Sequence, residues 1–187
     1  MESVRKRAII IYMKRKLERF AGCLLAVIDM LVLGVATSTV ALAEEISESK
    51  KTAIMEKCDS IKASLVTLQH NDSRARVYLG RQYETIISNY IKPLNVSLVE
   101  NNLSTTAFIN NQNNYVAARQ NFVIDFIEYQ KGLEELVAMD CKARPNEFYD
   151  KLVIVRAKRK IVADDEARLM KLSNEQIELA TGLMEKL

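Results

Sequence analysis

The chain has 187 residues and a formal net charge of +3, with 27 basic and 24 acidic side chains, three cysteines and no tryptophan. Mixed charge of this kind gives no electrostatic reason to expect binding of nucleic acid. Five glycines and two prolines supply few tight turns, which argues against a β-sandwich or a β-barrel. The composition therefore favours a small helical protein.

The first 43 residues have the pattern of an export signal. A basic head is followed by a long apolar run, which closes with small residues at Ala41 and Ala43. These features predict a signal peptide that is cleaved after Ala43. The alternative is an uncleaved membrane anchor, since about 20 apolar residues are enough to span a bilayer. Asp29 lies inside the run and makes a permanent span more costly, by roughly 2.5–3.5 kcal/mol.

Export decides where the rest of the chain acts. The prediction is an extracytoplasmic or secreted protein or, if the anchor is kept, one held on the cytoplasmic membrane with its C-terminal domain outside. The membrane is then a partner through residues 1–43, at least transiently. Residues 44–187 have the length of one domain and carry 20 basic and 21 acidic side chains. We expect a protein partner and no nucleic acid.

Cys58 and Cys141 both follow the predicted cleavage site. In an oxidising compartment an isolated pair of cysteines is most simply a disulfide. The alternative is two separate buried thiols. A bridge that closes a loop of about 84 residues stabilises a fold by roughly 4–5 kcal/mol in the chain-entropy model.

The first helix is predicted over about 50–99. Its apolar side chains alternate in spacings of four and three, which is the pattern of a heptad seam. The seam comprises Ile54, Cys58, Ile61, Leu65, Leu68, Leu79, Tyr83, Ile86 and Tyr90. Residues 71–73, Asn-Asp-Ser, are either a turn between two helices or a polar patch within one long helix. Pro93 is expected to bend the helix, because its ring clashes with the carbonyl group of Asn89.

Two more helices are predicted over about 105–139 and 146–185. In the first of these, aromatic residues and a leucine recur every seven positions, at Phe108, Tyr115, Phe122, Tyr129 and Leu136. The last helix follows Pro145, which suits a first helical turn. Its looser inner side comprises Phe148, Leu152, Val155, Val162, Leu169 and Ile177, and residues 158–160, Lys-Arg-Lys, are expected on a solvated face.

The cysteines decide how these helices are arranged. In an antiparallel pair that turns near residue 101, the position opposite Cys141 is about 62, one helical turn from Cys58. A reversal near residue 71 would destroy this correspondence. We therefore expect an all-α fold, an elongated antiparallel three-helix bundle of coiled-coil type over 44–187, preceded by the signal or anchor helix.

The residues that might carry chemistry are few. The single histidine, His70, has no nucleophile pattern around it, so we expect a surface residue, no metal site and no cofactor. A possible ligand surface for an anion or a glycan comprises Arg74, Arg76, Tyr78 and Arg81. The alternative for that group is a solvated helix face. Glu134 with Glu135, and residues 164–166, offer carboxylate pairs of the kind that surface helices carry routinely.

Three segments carry a resemblance to other proteins. They are residues 77–86 (VYLGRQYETI), 91–96 (IKPLNV) and 132–141 (GLEELVAMDC). They resemble small, uncharacterised exported proteins of candidate-phyla bacteria of the Saccharibacteria type, over most of the chain after residue 54. The resemblance implies a bacterial envelope protein with a helical fold, and it implies no catalytic or binding residue.

The sequence supports two hypotheses about function. The first is an exported non-enzymatic helical bundle that acts as an envelope structural or protein-interaction module. The second is an extracytoplasmic sensor-like or chaperone-like domain that binds a ligand or an unfolded client. The second hypothesis requires an apolar groove, for which the looser stretch 155–169 is the expected place.

Overall fold

The computed structural model describes residues 46–186, so the predictions for the signal peptide, Ala41 and Ala43 lie outside the described residues. All regular secondary structure in the described chain is helical, which confirms the all-α class. The helices are α1 (Glu48–Glu56), α2 (Cys58–Ile86), a π-helical turn (Ile87–Ile91), α3 (Lys92–Glu100), α4 (Thr106–Ala138) and α5 (Pro145–Met184). None of these helices is both long and apolar enough to cross a membrane.

The polar stretch 71–73 lies inside α2. Of the two interpretations that the sequence left open, one helix through residue 71 is therefore confirmed. The predicted helix over 50–99, with its bend near Pro93, corresponds to α1, α2, the π-helical turn and α3, so helical structure is interrupted at Lys57 and changes type before Pro93. Lys57 forms a one-residue turn immediately before Cys58, although its N–H group still donates to the Ala53 carbonyl group.

The second interruption is the π-helical turn that precedes Pro93. Lys92 donates its N–H group to the carbonyl group of Ile87, five residues back. Proline has no N–H group, and in an ordinary α-helical turn its ring clashes with the carbonyl group four residues earlier. The widened turn accommodates this misfit just before the proline, and α3 then continues to Glu100.

The end of α3 shows why the chain reverses near residue 101. Asn102 has a φ of 54°, the left-handed conformation that asparagine adopts more readily than most residues. The N–H group of Leu103 donates to the Leu98 carbonyl group, and that of Asn102 donates to the Val99 carbonyl group. These two bonds form a Schellman motif, and the packing of Leu103 against the cluster that contains Leu98 completes it.

Contacts divide the described chain into two compact units. Unit 1 contains residues 80–121 and 165–186, and unit 2 contains residues 46–79 and 122–164. In unit 2, α2 and α4 are antiparallel, as the pairs Asp72–Tyr129 and Cys58–Cys141 show. The pairs Glu128–Lys158 and Glu135–Lys151 show that α4 and α5 are also antiparallel.

The predicted apolar seams form the interiors of the two units. In unit 1, Tyr83, Ile86, Phe108, Tyr115 and Leu169 are buried. In unit 2 the buried residues of the seams are Ile54, Cys58, Leu65, Leu79, Phe122, Phe126, Tyr129, Leu133, Leu136, Phe148, Val155 and Val162. Ile61, Leu68, Leu152 and Ile177 are only partly buried. Helical periodicity therefore predicted the packing faces correctly.

Candidate functional site

The predicted disulfide between Cys58 and Cys141 is confirmed. The two Cα atoms are 5.7 Å apart, and the bond joins the first residue of α2 to the connector after α4. Both cysteines are buried, with 3% and 0% of their surface exposed. Reductants in solution therefore have little access to the sulfur atoms while unit 2 is folded.

The connector that holds Cys141 is ordered by its neighbour Asp140. The Asp140 carboxylate accepts hydrogen bonds from the N–H groups of Ala143 and Lys142, at 3.1 and 2.9 Å. These two bonds lower the pKa of Asp140. An exposed ion pair between Lys142 and Asp59 lies directly beside the disulfide, with 2.8 Å between Nζ and Oδ2.

Asp72, Tyr129 and Arg159 form a polar cluster across the three helices of unit 2, which we call the Asp72 cluster. Tyr129 donates its hydroxyl hydrogen to Asp72 Oδ2 over 2.6 Å. Arg159 Nε and Nη2 donate to the two oxygens of the same carboxylate, at 3.0 and 3.3 Å. Only 11% of the Asp72 side chain is exposed, so its charge needs these partners. A second bond between the same helices, from the Ser73 hydroxyl group to the Gln130 side chain, lies beside the cluster.

Burial and the bonds within the Asp72 cluster determine the pKa values of Tyr129 and Arg159. Burial raises the pKa of Tyr129, and the hydrogen bond to the Asp72 carboxylate raises it further. Burial acts to lower the pKa of Arg159, but its bond to Asp72 and the charge of that carboxylate outweigh this, so the pKa is raised. Tyr129 stays neutral and Arg159 stays charged over the physiological range, which suits a structural role and not proton transfer.

Unit 1 contains a second polar group, which we call the amide layer: Asn95 of α3, Asn111 of α4 and Gln176 of α5. Asn95 Nδ2 donates to the Phe108 carbonyl group and to Gln112 Oε1, at 3.2 and 2.8 Å. Asn111 Nδ2 lies 3.2 Å from both the Leu172 carbonyl oxygen and a Glu175 carboxylate oxygen. Gln176 is completely buried.

Two buried tyrosines lie in the same unit. Burial raises the pKa of Tyr83, and the negative charge of Glu166 adds to the effect. Burial also raises the pKa of Tyr115, whose hydroxyl oxygen is buried and forms no hydrogen bond with any described residue. Neither hydroxyl group is placed to ionise near neutral pH, so both tyrosines contribute apolar packing with one polar atom.

The predicted ligand surface is divided between the two units. In unit 2, Arg74 is exposed, Tyr78 is 45% exposed, and the guanidinium carbon of Arg76 lies 5.6 Å from the centre of the Phe126 ring. Arg81 belongs to unit 1 and is exposed. These positions agree with both the solvated helix face and a ligand surface, and the ligand surface stays a prediction.

The remaining candidates lie on the surface of the described chain, except Asp165 and Glu166, which are partly buried. His70 and Glu134 are exposed, and Glu135 pairs with Lys151, which lowers the pKa of Glu135. Asp164 pairs with Lys160 on the same helix. Within residues 46–186 no group of three or more histidines, cysteines or acids has the arrangement of a metal site.

The predicted position of Arg159 is wrong. It was expected on a solvated face with its neighbours, but its side chain is only 35% exposed and is bonded to Asp72. The available signal was the heptad phase, which continues from Leu68 through position 72. A carboxylate in an apolar seam requires a cationic partner from another helix, and the pattern of one helix does not say which cation that is.

Comparison with known proteins found no match to the chain among family models, curated proteins or solved structures.

Proposed function

We propose that the protein is exported and acts outside the cytoplasm as a non-enzymatic helical module, in envelope structure or in contact with another protein. The observation that carries the proposal is the buried disulfide between Cys58 and Cys141, whose cysteines are 83 residues apart in sequence. Structural disulfides form and persist in oxidising compartments and are rare in the cytosol. The predicted export signal supplies the route to such a compartment.

The non-enzymatic part of the proposal is supported by what the polar side chains do. Asp72 and Arg159 neutralise each other between helices, and Glu135 and Asp164 pair with lysines on the surface. These groups hold helices together or solvate them. A three-helix bundle with a cleaved signal, or with a retained anchor, is the form in which we propose that the module acts.

The proposal is tested by the mass of the protein isolated from its own host, after alkylation with and without prior reduction. We expect a mass that corresponds to loss of residues 1–43, and two cysteines that react only after reduction. A full-length mass with the same oxidised pair would favour the retained anchor. An Ala41→Glu variant is the control, because it should block cleavage. Free thiols at Cys58 and Cys141 in the protein from the host would contradict export; in a full-length chain the thiol of Cys23 does not count.

A second candidate function, binding of apolar client segments, is favoured by one observation. Leu94, Leu98, Phe108 and Ala180 form a buried cluster in unit 1. Partly buried apolar side chains pack around it: Leu103, Leu179, Leu183 and Met184. Flexible leucine and methionine side chains suit surfaces that adapt to several partners. The groove expected over 155–169 stays a prediction; the inner side chains Val155, Val162 and Leu169 are themselves buried.

Client binding is tested by the fluorescence anisotropy of a labelled peptide rich in leucine and phenylalanine. If unit 1 binds clients, Leu183→Glu weakens binding at least several-fold, because it places a charge at the edge of the cluster. Asn174→Glu is the matched control on the exposed side of α5 and should leave binding unchanged. Equal binding by the two variants would leave the first candidate as the better account.

A further inference from the structure

The amide layer lies one helical turn from the apolar cluster of unit 1. Gln176 precedes Ala180 by four residues, and Asn111 follows Phe108 by three, so each amide is on the same helix face as its apolar neighbour. Asn95 follows Leu94 directly and bonds to the Phe108 carbonyl group. Asn95 bonds to residues 108 and 112 of α4, and Asn111 bonds to residues 172 and 175 of α5, directly before Gln176. The three amides therefore come from three helices and lie within about one helical turn of each other along the helix axes.

The orientation of both asparagine amides is determined by backbone carbonyl groups. Asn95 Nδ2 donates to the carbonyl group of Phe108, and Asn111 Nδ2 donates to that of Leu172. A carbonyl oxygen accepts hydrogen bonds and cannot donate them, so the nitrogen of each amide must point at it. The remaining Oδ1 atom of each asparagine is thus an acceptor that is left over.

Four polar atoms of this layer are buried and form no hydrogen bond with any described residue. They are Asn95 Oδ1, Asn111 Oδ1, Gln176 Oε1 and Gln176 Nε2. Native proteins rarely leave buried polar atoms unbonded, because each then bears the cost of removal from water. A side chain such as Gln176, which is 0% exposed and has both polar ends unbonded, calls for a binding partner.

The chemistry of the four atoms selects the partner. Three of them accept hydrogen bonds and one donates, and none carries a formal charge. A suitable partner donates at least two hydrogens, accepts one, is neutral and is small enough for a helical core. Water meets these four requirements, and one water serves three of the four atoms: it donates to two oxygens and accepts from Gln176 Nε2, the about three hydrogen bonds that a buried water typically makes. A metal cation could use the amide oxygens as ligands, but it cannot accept the hydrogen bond that Gln176 Nε2 offers.

We propose that Asn95, Asn111 and Gln176 form an internal water-binding site in unit 1. Bound water connects the left-over acceptors of α3 and α4 to the amide of α5. The site also specifies helix register, since shifting one helix by a turn would place its amide against apolar side chains. This inference is independent of the proposed function.

The direct test is NMR spectroscopy of the full chain with its disulfide formed. We expect nuclear Overhauser cross-peaks between water and the side-chain NH2 protons of Gln176, with the sign that indicates a long residence time. These cross-peaks should disappear in an Asn95→Leu, Asn111→Leu double variant if it folds. Their absence from the wild-type chain would overturn the proposal.

A second test depends on the sign of a change in stability, and needs only a variant that folds. In a hydrated layer, Gln176→Met removes the donor that holds the water, and the melting temperature falls by several degrees. For a chain of this length, each kcal/mol of lost unfolding free energy lowers the melting temperature by ~2–4 °C. In a dry layer, the same variant removes two unbonded polar atoms and the melting temperature rises. Asn174→Met is the control, since Asn174 is exposed on the same helix. A rise for Gln176→Met relative to this control would contradict the proposal.

Discussion

A carboxylate at a seam position determines much of the chemistry inside unit 2. Asp72 follows the heptad phase of its helix, but its side chain cannot be buried as an unpaired charge. Tyr129 and Arg159 therefore approach it from α4 and α5 and occupy both of its oxygens. The three residues come from distant parts of the sequence, and their bonds join all three helices of the unit.

Breaking the Asp72 cluster is expected to destabilise the protein. Asp72→Asn leaves Arg159 without its counter-charge, and we expect a loss of about 1–3 kcal/mol, moderated because the arginine is partly solvated. Tyr129→Phe should cost about 1–2 kcal/mol for its hydrogen bond. Urea unfolding followed by circular dichroism measures both changes.

The control for the Asp72 cluster is an exposed ion pair within α5, the helix that holds Arg159. Lys160→Met removes the partner of Asp164, with both side chains mostly exposed, and should change stability by at most about 0.5 kcal/mol. If Asp72→Asn proved as mild as Lys160→Met, the cluster would have no stabilising role.

Three buried tyrosines are expected to make the fold sensitive to alkali. Burial raises the pKa values of Tyr83, Tyr115 and Tyr129 above the ordinary value of 10.0. Their contribution to stability is therefore complete below about pH 10 and is lost as the pH rises further, because only the unfolded chain then releases the protons. The free energy of unfolding should fall by up to about 1.4 kcal/mol per pH unit for each tyrosine.

The ultraviolet absorbance of tyrosinate measures this effect. The three groups should ionise together with loss of helical circular dichroism, and the Tyr115→Phe variant should show a shallower dependence of stability on pH. Ionisation of all tyrosines near pH 10 while the helices persist would show that the three hydroxyl groups are accessible in the folded protein.

The helices and turns show which features of the fold can be predicted from local sequence and which cannot. Periodicity left the path of α2 through residues 71–73 open, and the register of Cys58 with Cys141 favoured a continuous helix, because a reversal near residue 71 would separate the two cysteines. The turn after α3 follows from Asn102, which adopts a left-handed conformation with little strain. The π-helical turn at Ile87–Ile91 has no such signal apart from the nearby Pro93, and the choice between a bend and a widened turn depends on packing.

Two glycines inside helices are expected to respond differently to substitution by alanine. A Cβ atom on Gly80 would meet nothing within 4 Å, so Gly80→Ala should stabilise the protein by about 0.5–1 kcal/mol through helix propensity. On Gly132 it would lie 3.2 Å from Val155 Cγ2, where α4 and α5 approach closely. Gly132→Ala should therefore give no stabilisation.

Thermal unfolding of the two alanine variants, each compared with the wild-type chain, measures the difference. A Gly132→Ala variant as stabilising as Gly80→Ala would mean that Val155 moves aside at no cost and that the close approach of α4 and α5 is not required.

At the scale of the molecule, the disulfide is the one covalent constraint on the described chain. It connects residues that are 83 positions apart and are both buried in unit 2. A bridge of this span restricts the unfolded chain far more than the folded one, since folding already brings the two cysteines together.

Removing the disulfide is expected to cost roughly 4–5 kcal/mol in the chain-entropy model. We expect the Cys58→Ser, Cys141→Ser double variant to unfold at a much lower urea concentration than the oxidised chain. Because both sulfur atoms are buried, dithiothreitol should reduce the native protein slowly and the urea-unfolded protein quickly. Equal reduction rates in the two states would mean that unit 2 opens readily around the disulfide.

The sequence by itself predicted three helical stretches, the faces on which they pack and, as the simplest of two alternatives, the pairing of Cys58 with Cys141. These features depend on local periodicity and on one register argument, and both are properties of the chain order. Only the tertiary structure decided that Arg159 turns inward to Asp72 and that the polar ends of Gln176 are completely buried. The physical reason is that the state of a polar side chain in a helix is set by the groups it meets on other helices, which no pattern within its own helix encodes.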